Sequence, residues 1–414
     1  MRLNKCRIGD YIKDVASGPF GSNLKVECFV PSGFPIIDGA NLTGVRVTDN
    51  ITKFVTEAKA RSLSRSIAKR HDVIVTISGT LGQISYIPND SKYEEYLCSQ
   101  RQFRVTFDES KVCVEYLVNL LRTPYGQRKI LAFANYVGVP ALAQPIPNFK
   151  NIEVYLPDLP TQLRIAGVLG SIDEKIELNR KKIAELEALA KVIYDYWFVQ
   201  FDFPDANGKP YKSSGGKMVW NELLKRAVPV GWDVKRLPEI ADYLFGYPFD
   251  SSLFNDKGNG FPIVRIRNVK DGVTQDSTTE SANKEYIISD GDFLIGMDGY
   301  FDMNHWIGGD AYLVQRTCRI KTKQSLYAGW LSSALQAPIK HLEKSLSGAT
   351  LAHLGKAHLD EIMLPVPPND MRQSLSILNH AIERKVTLGS ENIALTQQRD
   401  SLLPLLMNGQ VVVG

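Results

Sequence analysis

The chain has 414 residues, 44% hydrophobic and 23% charged, with 49 basic against 45 acidic side chains and a formal net charge of +4. That length fits about two to three domains and the composition is that of an ordinary globular protein, which excludes a largely disordered chain. The mildly basic balance permits a polyanionic partner without demanding one. No run of eighteen or more apolar residues is present, so no transmembrane helix is expected. The opening MRLNKCRIGDYIKD has no apolar core after its early charges and does not read as a secretion signal. Five cysteines, Cys6, Cys28, Cys98, Cys113 and Cys318, form no CxxC pair, which points to a reduced, cytoplasmic setting.

In chain order, the first block (1–155) carries short runs rich in β-branched and aromatic residues. DVIVTI from Asp72, QFRVTF from Gln102 and IEVYL from Ile152 read as strands. A helix is expected near Val114–Leu121, stopping just before Pro124.

A long helix follows within 156–203. Ile165, Leu169, Ile172, Ile176, Asn179, Ile183, Leu186, Ala190, Ile193 and Trp197 are spaced by alternating fours and threes, the narrow apolar stripe of a coiled coil. Asn179 is its one amide, able to fix register at a cost in stability. Prolines precede the helix, and Thr161 is the expected N-cap.

The segment FPDANGKPYKSSGGKMVW lacks an apolar period and reads as a surface linker or hairpin, placing a linker at 204–230. A second block (231–365) repeats the first at a spacing of about 210 residues, far beyond any solenoid period. FPIIDGANLTG from Phe34 is matched by FPIVRIRNVKDG from Phe261, and DVIVTISGTLG by DFLIGMDGYFD from Asp292. EYLVNLLRTPYGQRK from Glu115 is matched by GWLSSALQAPIKHLE from Gly329, and IEVYLPDLPTQLR by IMLPVPPNDMR from Ile362. DFLIG, AYLVQ and TCRIK supply its strands, and its helix is expected near Leu326–Leu335, ending before Pro338.

A closing helix is expected in 366–414. Leu378, Ile382, Val386 and Ile393 share one phase, Leu388, Leu395 and Leu402 recur every seven, and Pro404 and Gly409 end it. The predicted fold is α+β: two similar strand-rich domains with a pseudo-two-fold relation, separated by an antiparallel coiled coil of two long helices. A stripe of 33 residues spans roughly 50 Å, equivalent to about fifteen base pairs of DNA. The competing arrangement folds each helix back onto its own block as an ordinary amphipathic helix.

Catalytic signatures are scarce. No GxxxxGK loop, HExxH pair or GxSxG elbow occurs, and the one Pro-Pro pair, Pro367–Pro368, is followed by Asn369 and Asp370 in the wrong order for an amino-group methyltransferase. Asp158, Asp173 and Lys175 formally fit a metal-dependent nuclease pattern, but Asp173 and Lys175 lie on the coiled-coil helix rather than on a strand. No catalytic residue and no metal or cofactor site is assigned.

Loops suited to nucleic acid occur in both blocks. SGPFGSNLK offers Ser22, Asn23 and Lys25; SGTLGQ offers Thr80 and Gln83 after a strand. AKARSLSRSIAKRH carries Lys59, Arg61, Arg65, Lys69 and Arg70 without an acid, a candidate phosphate-facing patch, and QRQFR adds Arg101 and Arg104. The second block offers Tyr247, Arg265, Arg267, Asn268, Tyr300, Asn304, His305 and Trp306. Arginine and asparagine pair bidentately with guanine and adenine edges.

The two halves, ISGTLGQISYIP, GMDGYFDMNHW, the run LPDLPTQLRIAGVLGSIDEKIELNRKKIAELE and the linker NGKPYKSSGGKM together resemble the specificity subunits of type I restriction–modification systems, over essentially the whole chain. The resemblance implies two target-recognition domains, each reading half of a bipartite, asymmetric double-stranded DNA site, with two antiparallel helices as spacer. It implies no catalysis in this chain. Two modification subunits would bind S-adenosylmethionine and methylate adenine, and restriction subunits would use ATP and magnesium. Members usually carry an acidic residue and glutamine after the leucine–proline run; this chain has Pro160-Thr161-Gln162, and Asn369 to Gln373 in its second copy. The alternatives are a metal-dependent nuclease and a coiled-coil scaffold that makes no DNA contact.

Overall fold

A computed structural model describes residues 2–346 and 352–411. The chain forms two compact units, Met1–Glu174 with Gln397–Gly414, and Lys175–Thr396. The division falls inside both long helices.

In the first unit, Val73–Thr76 lies inside a four-stranded antiparallel sheet ordered Ile12–Ser17, Gln102–Phe107, Val73–Thr76, Ile84–Tyr86. All four residues of Val73–Thr76 are buried, which is why this segment is continuously β-branched rather than alternating. A second sheet orders Phe29–Val30, Phe54–Val55, Phe34–Ile37, Glu95–Cys98 and Ile67–Lys69, with Phe34–Ile37 and Glu95–Cys98 parallel. Asn4–Arg7 pairs with Glu153–Leu156.

The second unit repeats the order and pairing of these three sheets. Its four-stranded sheet runs Ala241–Phe245, Thr317–Thr322, Phe293–Gly296, Met303–His305. Its five-stranded sheet runs Phe254–Asn255, Ser277–Thr278, Phe261–Val264, Ala311–Leu313, Ile287–Ile288, again with one parallel pair at its centre. Asp233–Arg236 pairs with Met363–Val366. The repeat seen in sequence is therefore a repeat of pairing as well as order.

The helices beside the sheets stop before Pro124 and Pro338 as expected, but each is followed by a further helix. Val114–Arg122 gives way to a second helix, Pro124–Leu131, in which Pro124 occupies the first turn and Thr123 caps by accepting from Gly126 N at 3.2 Å. Ala328–Ala334 is likewise followed by Gln336–Leu346, with Pro338 inside it. Proline is tolerated in a first turn because the N–H it lacks needs no partner there, so these prolines open a helix as well as closing one.

The two long helices are Leu159–Tyr194 and Arg372–Met407. The first begins before Thr161: Asp158 Oδ1 accepts from Thr161 N at 3.1 Å, so Asp158 is the cap, and these hydrogen bonds hold its carboxyl below the usual range. The second runs through Pro404, losing one backbone bond near its end, and stops at Met407, just before Gly409, whose φ of 72° lets Gln410 N reach Leu405 O at 2.9 Å.

The fold class is two mixed α/β domains with these helices paired antiparallel as a coiled coil. In the second unit Lys175 Nζ meets Glu391 Oε1 at 3.3 Å and Glu187 Oε1 meets Lys385 Nζ at 2.6 Å, so partners descend one helix as they ascend the other. In the first unit Arg399 Nη1 donates to Asp173 Oδ1 at 2.8 Å. All ten stripe positions are sheltered: Ile165, Leu169, Ile176 and Asn179 are buried, and Ile172, Ile183, Leu186, Ala190, Ile193 and Trp197 are half-buried. Leu378 and Leu388 are buried on the other helix, where Ile382, Val386, Ile393, Leu395 and Leu402 are half-buried.

The helix ends do more than pair. Ile165, Ala166 and Leu169 share the first unit's core with Leu406 and Met407, alongside Val73, Phe103 and Leu117. Leu375 and Leu378 share the second core with Phe198, Phe293 and Trp330, and Ala190, Ile193 and Trp197 pack against it. The helices thus act as coiled coil in their middles and as core elements at their ends, which joins the two expected packings in one structure.

The segment after the first long helix is anchored rather than loose. Phe203 is buried and stacks on Tyr211 and Trp232, and Met218–Asn221 forms a hairpin with Arg226–Pro229.

Candidate nucleic-acid interface

In the first unit, a cleft of about 700 Å³ opens between the two sheets, lined by Lys53, Ser78, Thr80, Gln83, Gln100 and Arg101 among others. Ser78, Thr80 and Gln83 reach it from the turn that follows the strand Val73–Thr76, where Gly79 at φ +91° and Gly82 at φ +86° take values that favour glycine. Thr80 and Arg101 are exposed, and Arg101 makes no side-chain hydrogen bond among the described residues. Gln83 is committed to structure: it donates to Gly39 O at 2.9 Å and accepts from Thr76 Oγ1 at 3.1 Å. Ser22, Asn23 and Lys25 are exposed on the loop that also bears Phe20 and Val26, each 81% exposed.

The basic run 58–71 is less positive in space than in sequence. Arg61 pairs with Glu57 at 2.8 Å and Glu95 at 2.5 Å, and Lys69 reaches Glu95 at 3.4 Å. Arg70 donates to Ser91 O at 3.3 Å. Arg65 is exposed and Lys59 half-buried, neither with a side-chain ion pair among the described residues. Arg104 is internal: its guanidinium donates to Asp14 Oδ2 at 2.7 Å and to Arg65 O at 3.0 Å, and the Asp14 carboxyl is held below its usual range by that bond.

In the second unit several candidates support the fold. Trp306 is fully buried and donates to Gly309 O at 2.5 Å. His305 is buried against Phe293, and burial, aided by Lys385, pulls its pKa down to about 3, so the ring is neutral. Asn304 accepts from Lys385 Nζ at 2.9 Å and donates to Lys270 O at 2.7 Å. Asn268 accepts from Arg265 N at 2.9 Å, Arg265 lies 5.4 Å from the Phe254 ring centre, and Arg267 forks onto Asp276. Tyr247 packs among Phe249 and Tyr286, whereas Tyr300 is 77% exposed.

Sequence reasoning offered neither Arg316 nor His353 as a DNA-contact residue. Both are about 60% exposed and both bind one buried carboxylate: Arg316 Nη1 lies 2.7 Å from Asp298 Oδ2 and His353 Nδ1 lies 2.6 Å from Asp298 Oδ1. They stand 37 positions apart in the chain, so no local pattern announces them.

The formal nuclease residues are engaged elsewhere: Asp158 caps a helix, Asp173 meets Arg399, and Lys175 meets Glu391. The helix between Asp158 and Asp173 holds them roughly 22 Å apart at about 1.5 Å per residue, too far to share a metal ion. Among the described residues no group of three or more histidine, cysteine or acidic side chains is placed to hold a metal. No described helix is long and apolar enough to cross a membrane, and all five cysteines are free.

The chain matches the family described as type I restriction modification DNA specificity domain twice, over residues 32–188 and 229–393. It is 23% identical to the type I restriction enzyme MjaIX specificity subunit of Methanocaldococcus jannaschii, over 97% of this chain and 93% of that protein. It is 31% identical to the EcoBI specificity subunit of Escherichia coli over 32% of this chain and 28% of that protein. A crystal structure of a type I restriction–modification S subunit from M. genitalium has the same fold, with a TM-score of 0.64 at 18% identity, covering 98% of this chain and 96% of that one. With two family domains in one chain, each on its own repeat of the same sheet topology, the protein belongs to the family of type I restriction–modification DNA-specificity subunits.

Proposed function

We propose that each unit reads one half of a bipartite, asymmetric duplex site through its α/β domain (1–155 and 231–365), and that the paired helices (156–203 and 366–414) set the gap between the halves. The linker 204–230 joins the first helix to the second reader. The observation that carries this reading is the duplicated sheet topology with different exposed side chains: Thr80 and Arg101 in one copy, Tyr300 and Arg316 in the other. Two unlike readers in one chain need no palindrome, unlike the two identical halves of a homodimer. The exposed Ser22, Asn23, Lys25 and Arg65 and the half-buried Lys59 are the phosphate-side candidates of the first unit.

On this reading the chain works in the cytoplasm and docks two modification subunits, which supply S-adenosylmethionine and methylate adenine, and restriction subunits, which supply ATP- and magnesium-dependent cleavage. The residues of this chain bind, orient and discriminate, and the bond-making belongs to its partners. The test is a binding titration of the assembled complex against a duplex library at several salt concentrations. Affinity should fall as salt rises, because phosphate contacts release counterions, while preference for one sequence persists. Equal affinity for all sequences would reject the reading in favour of a scaffold.

A further inference from the structure

We propose that four display positions, repeated on one backbone frame, choose the bases of each half-site. They are Ser78, Thr80, Arg101 and Ala141 in the first domain, and Asp298, Tyr300, Arg316 and His353 in the second. The proposal rests on the functional reading above and deepens it.

The frame is the same in both domains, bond for bond. Ile77 N donates to Arg101 O at 2.8 Å, as Met297 N donates to Arg316 O at 2.9 Å. Gly79 N donates to Pro140 O at 2.8 Å, as Gly299 N donates to Ala352 O at 2.9 Å. Leu142 N donates to Ile77 O at 2.9 Å, as Leu354 N donates to Met297 O at 2.8 Å. Ser78 bridges Ala141 antiparallel, as Asp298 bridges His353. Gly79 and Gly299 both take positive φ, +91° and +70°, so the turn is held by glycine in each copy. Three chain segments therefore meet at one turn in the same way twice, although the residues they carry differ.

On this frame Thr80, Arg101, Tyr300, Arg316 and His353 are exposed, Ser78 and Ala141 are half-buried, and Asp298 is buried. Arg101 is exposed and makes no side-chain hydrogen bond among the described residues, and Thr80 beside it is exposed. In the second domain Asp298, with 8% of its side chain exposed, fixes Arg316 and His353 while leaving each of them 60% exposed. One Asp298 oxygen engages one terminal nitrogen of Arg316, so the other guanidinium N–H groups stay available. A guanidinium held in this way loses less freedom on binding and keeps the fork that matches guanine O6 and N7.

An arginine at the same frame position in both domains assigns one guanine to each half-site. The other three positions make the half-sites unlike. Ser78, Thr80 and Ala141 are small and allow close approach of the groove wall. Tyr300, 77% exposed, and His353 add a ring and a ring nitrogen in the second domain.

The experiment uses the full chain assembled with its modification subunits and reads methylation across a randomised duplex library. R316K keeps the charge and removes the fork; R316Q removes both. Both variants should lose about 5- to 150-fold of discrimination at one G·C pair of the second half-site, the range that a bidentate contact supplies, and leave the first half-site unchanged. R101K should do the same at one G·C pair of the first half-site only. The melting temperature of R101K should equal that of the parent, since Arg101 is exposed and unbonded among the described residues, and R316K keeps a cation beside the buried Asp298, whereas R316Q should melt lower. Undiminished discrimination in R316K and R101K, or a loss spread evenly over all positions, overturns the proposal. If the unsubstituted complex shows no base preference at all, the functional reading fails instead.

Discussion

Asn179 and Asn392 face each other across the helix pair: Asn179 Nδ2 donates to Asn392 Oδ1 at 3.1 Å and to Glu391 Oε2 at 2.9 Å, at a position with no solvent exposure. Lys175 and Asn179 together hold the Glu391 carboxyl below its usual range. Asn179 Oδ1 has no partner of its own. A buried oxygen left unpaired costs about 1–3 kcal/mol, so this contact pins register at the expense of stability. Replacing both amides, as N179I/N392L, should raise unfolding stability by about 1 kcal/mol, read as a higher urea midpoint at unchanged slope. The same variant should methylate sites with more than one gap length, because an apolar stripe no longer favours a single register. An unchanged gap with higher stability would show that the helix ends, fixed in the two cores, set register alone.

Gly329 touches the C-terminal helix directly. A Cβ built there would lie 2.5 Å from Leu378 C and 2.7 Å from Asn379 N, both backbone atoms that cannot swing aside. Asn379 Oδ1 also accepts from Gly329 N at 2.7 Å, and Asn379 Nδ2 donates to Ser325 O at 3.1 Å, fastening the helix to its domain. Gly329→Ala should therefore cost about 1–3 kcal/mol by overpacking. Gly170, in the central helix, has open space around its would-be Cβ, so Gly170→Ala should stabilise by up to about 1 kcal/mol. Denaturation midpoints of the two variants should move in opposite directions.

His305 makes stability depend on pH. Its folded pKa is pulled to about 3 by burial and by Lys385, against an ordinary value near 6.5. Below pH 6.5 the unfolded chain takes up a proton that the folded ring refuses. The stabilising term is thus complete above about pH 6.5 and is lost progressively as pH falls towards 3. The loss by pH 5 should be about 2 kcal/mol from this group. His305→Gln removes the titration, so the gap between parent and variant unfolding free energies should shrink by that amount between pH 7 and pH 5. A constant gap would mean that the ring is protonated in the folded state.

Much of this fold is legible in the sequence because its signals are periodic. The heptad run from Ile165 to Trp197 names ten positions of the central helix, all of them sheltered, and the matched strands Val73–Thr76 and Phe293–Gly296 advertise themselves as runs of mostly apolar residues. Proline carries only half its meaning: Pro124 and Pro338 mark where one helix stops, as read, but each also sits in the opening residues of the next helix, and Pro404 lies inside the last turn of the closing helix rather than after it. Which cations are free is not a local property. The run from Lys59 to Arg70 contains no acid, but Glu95 arrives from a neighbouring strand to neutralise Arg61 and Lys69. For the same reason Arg104, Asn304 and Trp306 look available in sequence and are internally bonded in the structure. Arg316 and His353 gain their setting only from Asp298, which the fold brings to both.

The most direct test of the central claim is a map of methylated adenines in DNA from cells that express this chain with its modification subunits. The account predicts a single motif of two unlike half-sites separated by an unspecified gap of fixed length. Methylation at one contiguous palindrome, or at adenines that share no motif, would contradict it.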